Sequence, residues 1–166
     1  MAEQQRRALL ATPAAGEAID SPGGFLTFLA SGEQTGGALS AWESSAAAGH
    51  GPPFHLHVAE DELMYVVEGQ VRFRLEEAIH EAPAGSFVFI PRGVPHTWQN
   101  RGETPARIIF AFTPAAPGME RFFERAAELP ADRRTADAFR DFADDAGMSV
   151  LGPPLAQSHP APVVHG

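Results

Sequence analysis

The chain has 166 residues, a formal net charge of −9 and no cysteine. A chain of this length builds a single core, which excludes a two-barrel architecture. Because the basic residues are all Arg and the balance is acidic, Schiff-base lysine chemistry, a Lys-dependent phosphate loop and nucleic-acid binding are excluded. The lack of cysteine excludes thiolate nucleophiles, disulfides and thiolate metal sites. No run approaches membrane-spanning length and no signal peptide is evident, so we expect a cytoplasmic protein without a membrane partner.

The N-terminal part of the chain is predicted to be an arm followed by two strands. Residues 1–24 end in the turn-forming Ser21-Pro22-Gly23-Gly24 and form the predicted arm. Aromatic and aliphatic residues predict strands over 25–30 and 38–45, separated by a glycine-rich turn. Pro52 and Pro53 then interrupt strand pairing before the next segment.

Alternating and apolar segments predict a meander through the middle of the chain. Further strands are expected at residues 63–67, 70–75, 79–84, 87–90 and 107–113. In the strand over 70–75, Arg72 and Arg74 alternate with apolar residues and are predicted to face solvent. The strand over 87–90 is apolar on both faces, so both faces should be covered. In the strand over 107–113, the bulkier face is expected to point inward.

Beyond residue 114 the hydrophobic period becomes that of a helix. Two short helices are predicted to pack on the sheet domain within residues 115–147, and residues 148–166 are predicted to be an extended or disordered tail. The first helix carries an apolar stripe of Met119, Phe122, Phe123 and Ala126. The second carries Phe139, Phe142, Ala143 and Ala146, with Thr135 as its cap and Gly147 as its end.

Two segments of the chain carry glycine, proline, histidine, glutamate and asparagine residues at spacings that suit a metal site in a small antiparallel barrel. The first stretch contains Gly49, His55, His57, Glu62 and Gly69, and the second contains Gly85, Pro91, Gly93, His96 and Asn100. Side chains at i and i+2 leave the same face of a strand, so His55 and His57 present their imidazoles side by side. Glu62 can come from the next strand and His96 from another hairpin. Three neutral imidazoles and one carboxylate suit a first-row divalent metal.

These ten positions resemble the two motifs of the cupin superfamily. The wider run from Gly36 to the Leu151–Leu155 tail is similar to single-domain cupins described as quercetin dioxygenase-like. The resemblance implies a mainly β fold, a cupin-type antiparallel β-barrel (double-stranded β-helix or jelly roll) over residues 25–114 with two short C-terminal helices. It also implies one divalent transition metal: Fe, Mn, Ni, Co or Cu could support oxygen chemistry, and Zn is possible as a bound species.

Three functions stay open at this point. The resemblance implies a metal-dependent dioxygenase of an aromatic or enolisable hydroxyl compound, with dioxygen as co-substrate and Glu62 acting as a ligand or as a catalytic base. A non-oxidative isomerase, decarboxylase or lyase could use the same metal as a Lewis acid, although phosphosugar chemistry would need Arg or Lys inside the barrel. A barrel that binds a small molecule without turnover is the third possibility.

Four large residues could line an apolar substrate pocket or simply fill the barrel: Met64, Trp98, Phe110 and Phe112. His50 belongs to the loop before the first metal strand, whereas the other histidines outside the motifs are expected to be exposed. A homodimer is the expected assembly, because symmetric pairs predominate among soluble oligomers. The arm and the strand over 25–30 could add to a neighbour's sheet.

Overall fold

The computed structural model describes residues 8–12, 18–21, 23–130, 140 and 142–159. The strands are β1 (Ala18–Ser21), β2 (Gly24–Ala30), β3 (Ser40–Ala46), β4 (Pro53–His57), β5 (Asp61–Glu68), β6 (Gln70–Leu75), β7 (Ala78–Pro83), β8 (Phe87–Ile90), β9 (His96–Asn100), β10 (Ala106–Thr113) and β11 (Met148–Pro154). The helices are α1 (Gly32–Thr35), α2 (Pro117–Glu128) and α3 (Leu155–Ser158), and Asp144–Ala146 form a 3-10 turn.

Within these residues the strands form two antiparallel sheets. One sheet has six strands in the order β1-β2-β3-β10-β5-β8, and the other has five in the order β11-β4-β9-β6-β7. The mainly β fold class predicted from the sequence is therefore confirmed. No helix in the described part of the chain is both long and apolar enough to cross a membrane.

Side chains that alternate along the central strands build the core. In β10, Ile108, Phe110 and Phe112 are buried, which confirms the inward face predicted for this strand. The Trp42 ring on β3 lies 5.5 Å from the Phe110 ring and 5.6 Å from the Phe112 ring, centroid to centroid. This aromatic cluster fills the space between the sheets on one side of the candidate site.

The prediction that both faces of the strand over 87–90 are covered was wrong. Phe87 and Phe89 are 62% and 52% exposed. Their strand, β8, is the last of the six-stranded sheet, and only its inward face, with Ile90 at 2% exposure, is buried. A continuous apolar run indicates burial on two faces in an interior strand, but it carries no information about an edge.

Arg72 was also predicted wrongly, since it is buried rather than solvated. Its Nε donates a hydrogen bond to Gln99 Oε1 at 2.8 Å, and its Nη2 donates to the carbonyl of His159. The C-terminal segment thus covers this outward-facing guanidinium. The second arginine of the strand, Arg74, lies over the ring of Phe54, with 3.9 Å between Cζ and the ring centroid.

The covering segment belongs to a region that the sequence analysis expected to be an extended or disordered tail. Residues Met148–Pro154 are extended, but they form β11 and pair with β4. The strand escaped prediction because Gly152 and its two following prolines break the alternation that marks a strand. Proline is tolerated here because β11 is an edge strand, where a missing N–H leaves no ladder bond broken.

The remaining end segments differ in part from the predictions. β1 pairs with β2, which also pairs with β3, so both edges of β2 are used within the chain. The helix α2 buries Met119, Phe122 and Ala126 as predicted. Thr135 and Phe139 of the second predicted helix lie outside the described residues. The 3-10 turn that follows ends at Gly147, which has a φ of 74°.

Candidate metal centre

The four predicted ligands come from three strands in two sheets. His55 and His57 lie on β4, and His55 is directly opposite His96 of the neighbouring strand β9. Glu62 lies on β5 in the other sheet and faces the histidines across the core. The short connection from β4 to β5 crosses between the sheets and brings the carboxylate to the site, whereas the pairing of β4 with β9 brings the third imidazole.

All four side chains are buried, and each contributes a ligand atom to a group in which these atoms lie within 4.8 Å of one another. Glu62 Oε2 is 2.8 Å from His96 Nε2 and 3.4 Å from His57 Nε2. The structure thus brings together the residues that the sequence predicted as ligands. Binding of a metal by this group stays a prediction.

The ring nitrogens are arranged as metal coordination requires. The Nδ1 of His55 lies 2.7 Å from the carbonyl of Pro53, and the Nδ1 of His96 lies 2.9 Å from the carbonyl of Val94. When Nδ1–H donates to these carbonyls, each Nε2 keeps its lone pair for a cation. His57 Nδ1 is buried without a partner among the described residues. The donor set therefore fits a divalent cation bound through imidazole and carboxylate.

The pKa shifts within the buried group also favour the binding of a cation. Burial raises the pKa of Glu62, but hydrogen bonds from His57 and His96 outweigh it and hold the pKa well below its usual range. Burial lowers the pKa of His96, yet the hydrogen bond and charge of Glu62 outweigh this effect and raise it. Burial, followed by the charges of His96 and His57, lowers the pKa of His55 to about 3. Without metal, one proton on His96 faces the Glu62 carboxylate, at a place where a cation could replace it.

A cavity of about 300 Å³ opens beside this group, and His55, His57 and Glu62 form part of its wall. Of the four residues predicted to line a substrate pocket, Trp98, Phe110 and Phe112 line this cavity; its binding of a substrate stays a prediction. Met64 is outside the lining and packs in the core, where it pairs with Phe110 and Val88 across neighbouring strands. Its position, two residues beyond Glu62 on β5, carries it along the strand away from the cavity.

Sequence reasoning missed several cavity residues. They are Met119, Phe122 and Phe123 on α2, and Met148 and Val150 on β11. The apolar stripe of the first predicted helix was a usable signal, because such a stripe must pack against some part of the sheets. β11 gave no comparable signal. His50 also lines the cavity, whereas its place in a Gly-Pro loop indicated a loop residue first and a ligand contact only second.

The central part of the chain, residues 42–112, matches the family described as Cupin domain. Residues 42–112 are therefore similar to a cupin domain, and we refer to them by that name. Solved cupins share its fold. KdgF from Halomonas sp. is 21% identical with a TM-score of 0.61, over 68% of this chain and 99% of that one. An RmlC-like cupin from Shewanella frigidimarina NCIMB 400 is 25% identical with a TM-score of 0.57, over 68% of this chain and 96% of that one.

Among curated proteins, the cupin domain is similar to the tetracenomycin polyketide synthase protein TcmJ of Streptomyces glaucescens. The two are 32% identical over 74 residues, which is 45% of this chain and 50% of TcmJ. The chain thus spans about half the length of the curated relatives it matches. Residues 42–112, which match the family, include the strands that carry the four candidate ligands.

Proposed function

We propose that the cupin domain binds one divalent transition metal through His55, His57, Glu62 and His96 and converts an apolar, enolisable hydroxyl compound of the polyketide type. One observation carries this proposal: three of the four ligands form the wall of a cavity whose other walls are mainly aromatic and aliphatic. A compound held there would have its polar end at the metal and its apolar body against rings.

A bound divalent cation would supply Lewis acidity, which makes a substrate hydroxyl or enol easier to deprotonate. The residues of the chain supply the remaining functions. Glu62 is ionised and reaches the cavity, so it can accept that proton if it is free to leave a ligand position. Phe112, whose ring lies 4.7 Å from that of His57, excludes water beside the ligands.

The choice of a polyketide-type compound rests on two supports. The cavity is apolar, and the relative TcmJ is named for polyketide synthesis. Poly-β-ketones and their aromatic products are enolisable and carry oxygens that can reach a metal. We therefore favour a non-oxidative reaction, in which an enolate formed in the cavity undergoes ring closure or loss of water within the substrate.

The dioxygenase implied by the resemblance to quercetin dioxygenase-like cupins is the second candidate. Its support is the ligand set, because three imidazoles and one carboxylate also accommodate the redox-active metals that dioxygen chemistry requires. A phosphosugar substrate has less support. Arg72 binds Gln99 and the His159 carbonyl and is absent from the cavity lining.

One experiment separates these possibilities. The protein is stripped of metal and reloaded in parallel with Fe(II), Mn(II), Co(II), Ni(II), Cu(II) and Zn(II). Each form is then incubated with quercetin and with 1-(2-hydroxyphenyl)butane-1,3-dione, an enolisable compound that can close a ring with loss of water, while oxygen uptake and compound loss are followed. Loss of compound without oxygen uptake, also with Zn(II), supports the non-oxidative proposal. Oxygen uptake in step with compound loss would replace it with the dioxygenase. Tight binding with neither change would indicate a binding protein.

A homodimer and a cytoplasmic location stay predictions. The chain's own β1 occupies the edge of β2 that was expected to pair with a neighbour. Any dimer built by strand addition would therefore have to use β1 or another edge strand.

A further inference from the structure

Among the described residues that line the cavity beside the metal centre, His50 is the one ionisable group besides the candidate ligands. His50 lines it together with Trp98, and the two rings meet edge to face with 6.3 Å between their centroids. The His50 ring also packs so closely on Gly23 that a Cβ at that residue would collide with it. The half-buried ring is therefore in contact with both neighbours.

The loop that carries this ring is itself fixed. The amide of Asn100 donates to the carbonyl of His50 at 2.8 Å, and the amide of Gly49 donates to the carbonyl of Asn100 at 2.9 Å. Gly51 lies so close to the backbone of Trp98 that a Cβ there would collide with the Trp98 carbonyl. These contacts join the loop to β9, the strand that also carries His96. The position of the His50 ring relative to the metal ligands is thus set by backbone contacts.

The two ring nitrogens of His50 have no hydrogen-bond partner among the described residues, and burial lowers the pKa of the imidazole. A neutral imidazole offers one N–H donor and one acceptor. Most of the cavity wall is apolar, including Phe110, Phe123 and Met119. A polar side chain placed on such a wall is suited to hydrogen-bond one oxygen of an otherwise apolar ligand.

We propose that His50 determines specificity by hydrogen-bonding a second oxygen of a planar aromatic ligand, whose first oxygen lies at the His55, His57 and Glu62 end of the cavity. This inference rests on the proposed function only for the position of the first oxygen. Two anchored oxygens would fix the ligand's direction in the cavity. Compounds with a single oxygen, or with a second oxygen in the wrong place, would bind in several orientations and more weakly.

The test uses 1-naphthol and its 1,5-, 1,6- and 1,7-dihydroxy analogues, which differ only in a distal hydroxyl. Binding to the full chain is measured by calorimetry, both metal-free and loaded with Zn(II). We expect at least one dihydroxynaphthalene to bind the wild type about three- to tenfold more tightly than 1-naphthol, the range that one neutral hydrogen bond provides. This gain should disappear in His50→Phe, which keeps the ring but removes both nitrogens.

Two further variants complete the comparison. His50→Gln keeps a donor and an acceptor and should retain part of the gain, whereas the control His80→Phe, at an exposed residue of β7, should retain all of it. If His50→Phe fails to fold, His50→Met is the apolar substitute.

The inference is overturned if the wild type shows no gain, if His50→Phe keeps it, or if His80→Phe loses it equally. A gain that depends on His50, together with an affinity for 1-naphthol that is the same with and without Zn(II), supports the role of His50 and contradicts the proposed metal-dependent function.

Discussion

Nε2 of His96 lies 2.8 Å from Oε2 of Glu62, although the two residues belong to strands of different sheets. The pair is buried, and each residue shifts the pKa of the other in the direction that favours its charged form. A proton or a cation between them therefore holds the two sheets together. The same contact links stability, pH and metal binding in this protein.

We predict that the metal-free protein is most stable near pH 6.5. The raised pKa of His96 contributes stability that is complete below its unfolded value of 6.5 and is lost as pH rises through the folded value. The lowered pKa of Glu62 contributes stability that is present above its unfolded value of 4.5 and is lost at lower pH. The pKa of His55 is lowered to about 3 in the folded protein. Below pH 6.5 its imidazole is therefore protonated in the unfolded chain before it is protonated in the folded one, and this lowers stability as the pH falls.

Thermal unfolding in EDTA between pH 5 and 9 measures this profile. In the wild type, the midpoint temperature should decrease as the pH rises above 6.5, and this decrease should be missing from His96→Gln. Zn(II)-loaded protein should behave in the opposite way above pH 6.5, since a cation competes better once His96 has lost its proton. A metal-free profile that rises steadily to pH 9 would contradict the assigned direction of the His96 shift.

The second prediction concerns His57, whose Nε2 faces Glu62. His57→Ala should weaken metal binding at least about a hundredfold, because a ligand is removed and an apolar void replaces it. Metal content after dialysis, measured by elemental analysis, shows the loss. His80→Ala, at an exposed histidine, is the control and should keep full occupancy. Full occupancy in His57→Ala as well would overturn the ligand assignment.

The third prediction separates the two roles of Glu62. Glu62→Gln keeps the size of the side chain but cannot take up a proton, so turnover should fall about 10²- to 10⁴-fold if Glu62 is the base. Metal should still bind through the three histidines, with reduced affinity. Elemental analysis and a turnover assay on the same sample distinguish the roles. A loss of activity that is fully restored by excess metal would assign Glu62 to coordination alone, and Glu103→Gln, at an exposed loop residue, should change neither property.

The sequence predicted the ligand set and most strands because both depend on local spacing. The i and i+2 placement of His55 and His57 fixes a common face, and the motif intervals carry Glu62 and His96 to their strands. Predicted strands over 70–75 and 87–90 coincide with β6 and β8. These features follow from periodicity and turn chemistry within each motif. The meeting of the two motifs at one site was implied by the cupin resemblance, because His55 and His96 come together only through the pairing of β4 with β9.

The features that the sequence did not predict depend on contacts between distant segments, and the spacing of residues within one segment does not encode such contacts. The covering of Arg72 by the C-terminal segment joins residues 87 positions apart. Likewise, His50 became a cavity residue only because its loop is bonded to Asn100, 50 positions along the chain. The exposure of Phe87 depended on β8 being an edge strand, a property of the sheet order rather than of the strand.

The last prediction concerns Arg72, which ties the C-terminal segment to the sheet. Its guanidinium bonds Gln99 and the carbonyl of His159, and Gln99 in turn donates to the carbonyl of Gly49 at 3.1 Å. Arg72→Met keeps an unbranched apolar chain in place of the aliphatic part of Arg72 but removes the guanidinium and leaves these acceptors unpaired. We expect the free energy of unfolding to fall by about 1–3 kcal/mol. Urea unfolding measures this loss.

Because β11 precedes that anchor and contributes Met148 and Val150 to the cavity wall, Arg72→Met should also weaken ligand binding. Hydrogen exchange should become faster in β11 and α3 but not at Glu62, whose strand β5 lies in the other sheet. The matched control is Arg101→Met, which removes an exposed ion pair with Glu81 and should cost less than about 1 kcal/mol. Equal losses in the two variants, or unchanged exchange in β11, would show that the C-terminal strand is held by its pairing with β4 and not by Arg72.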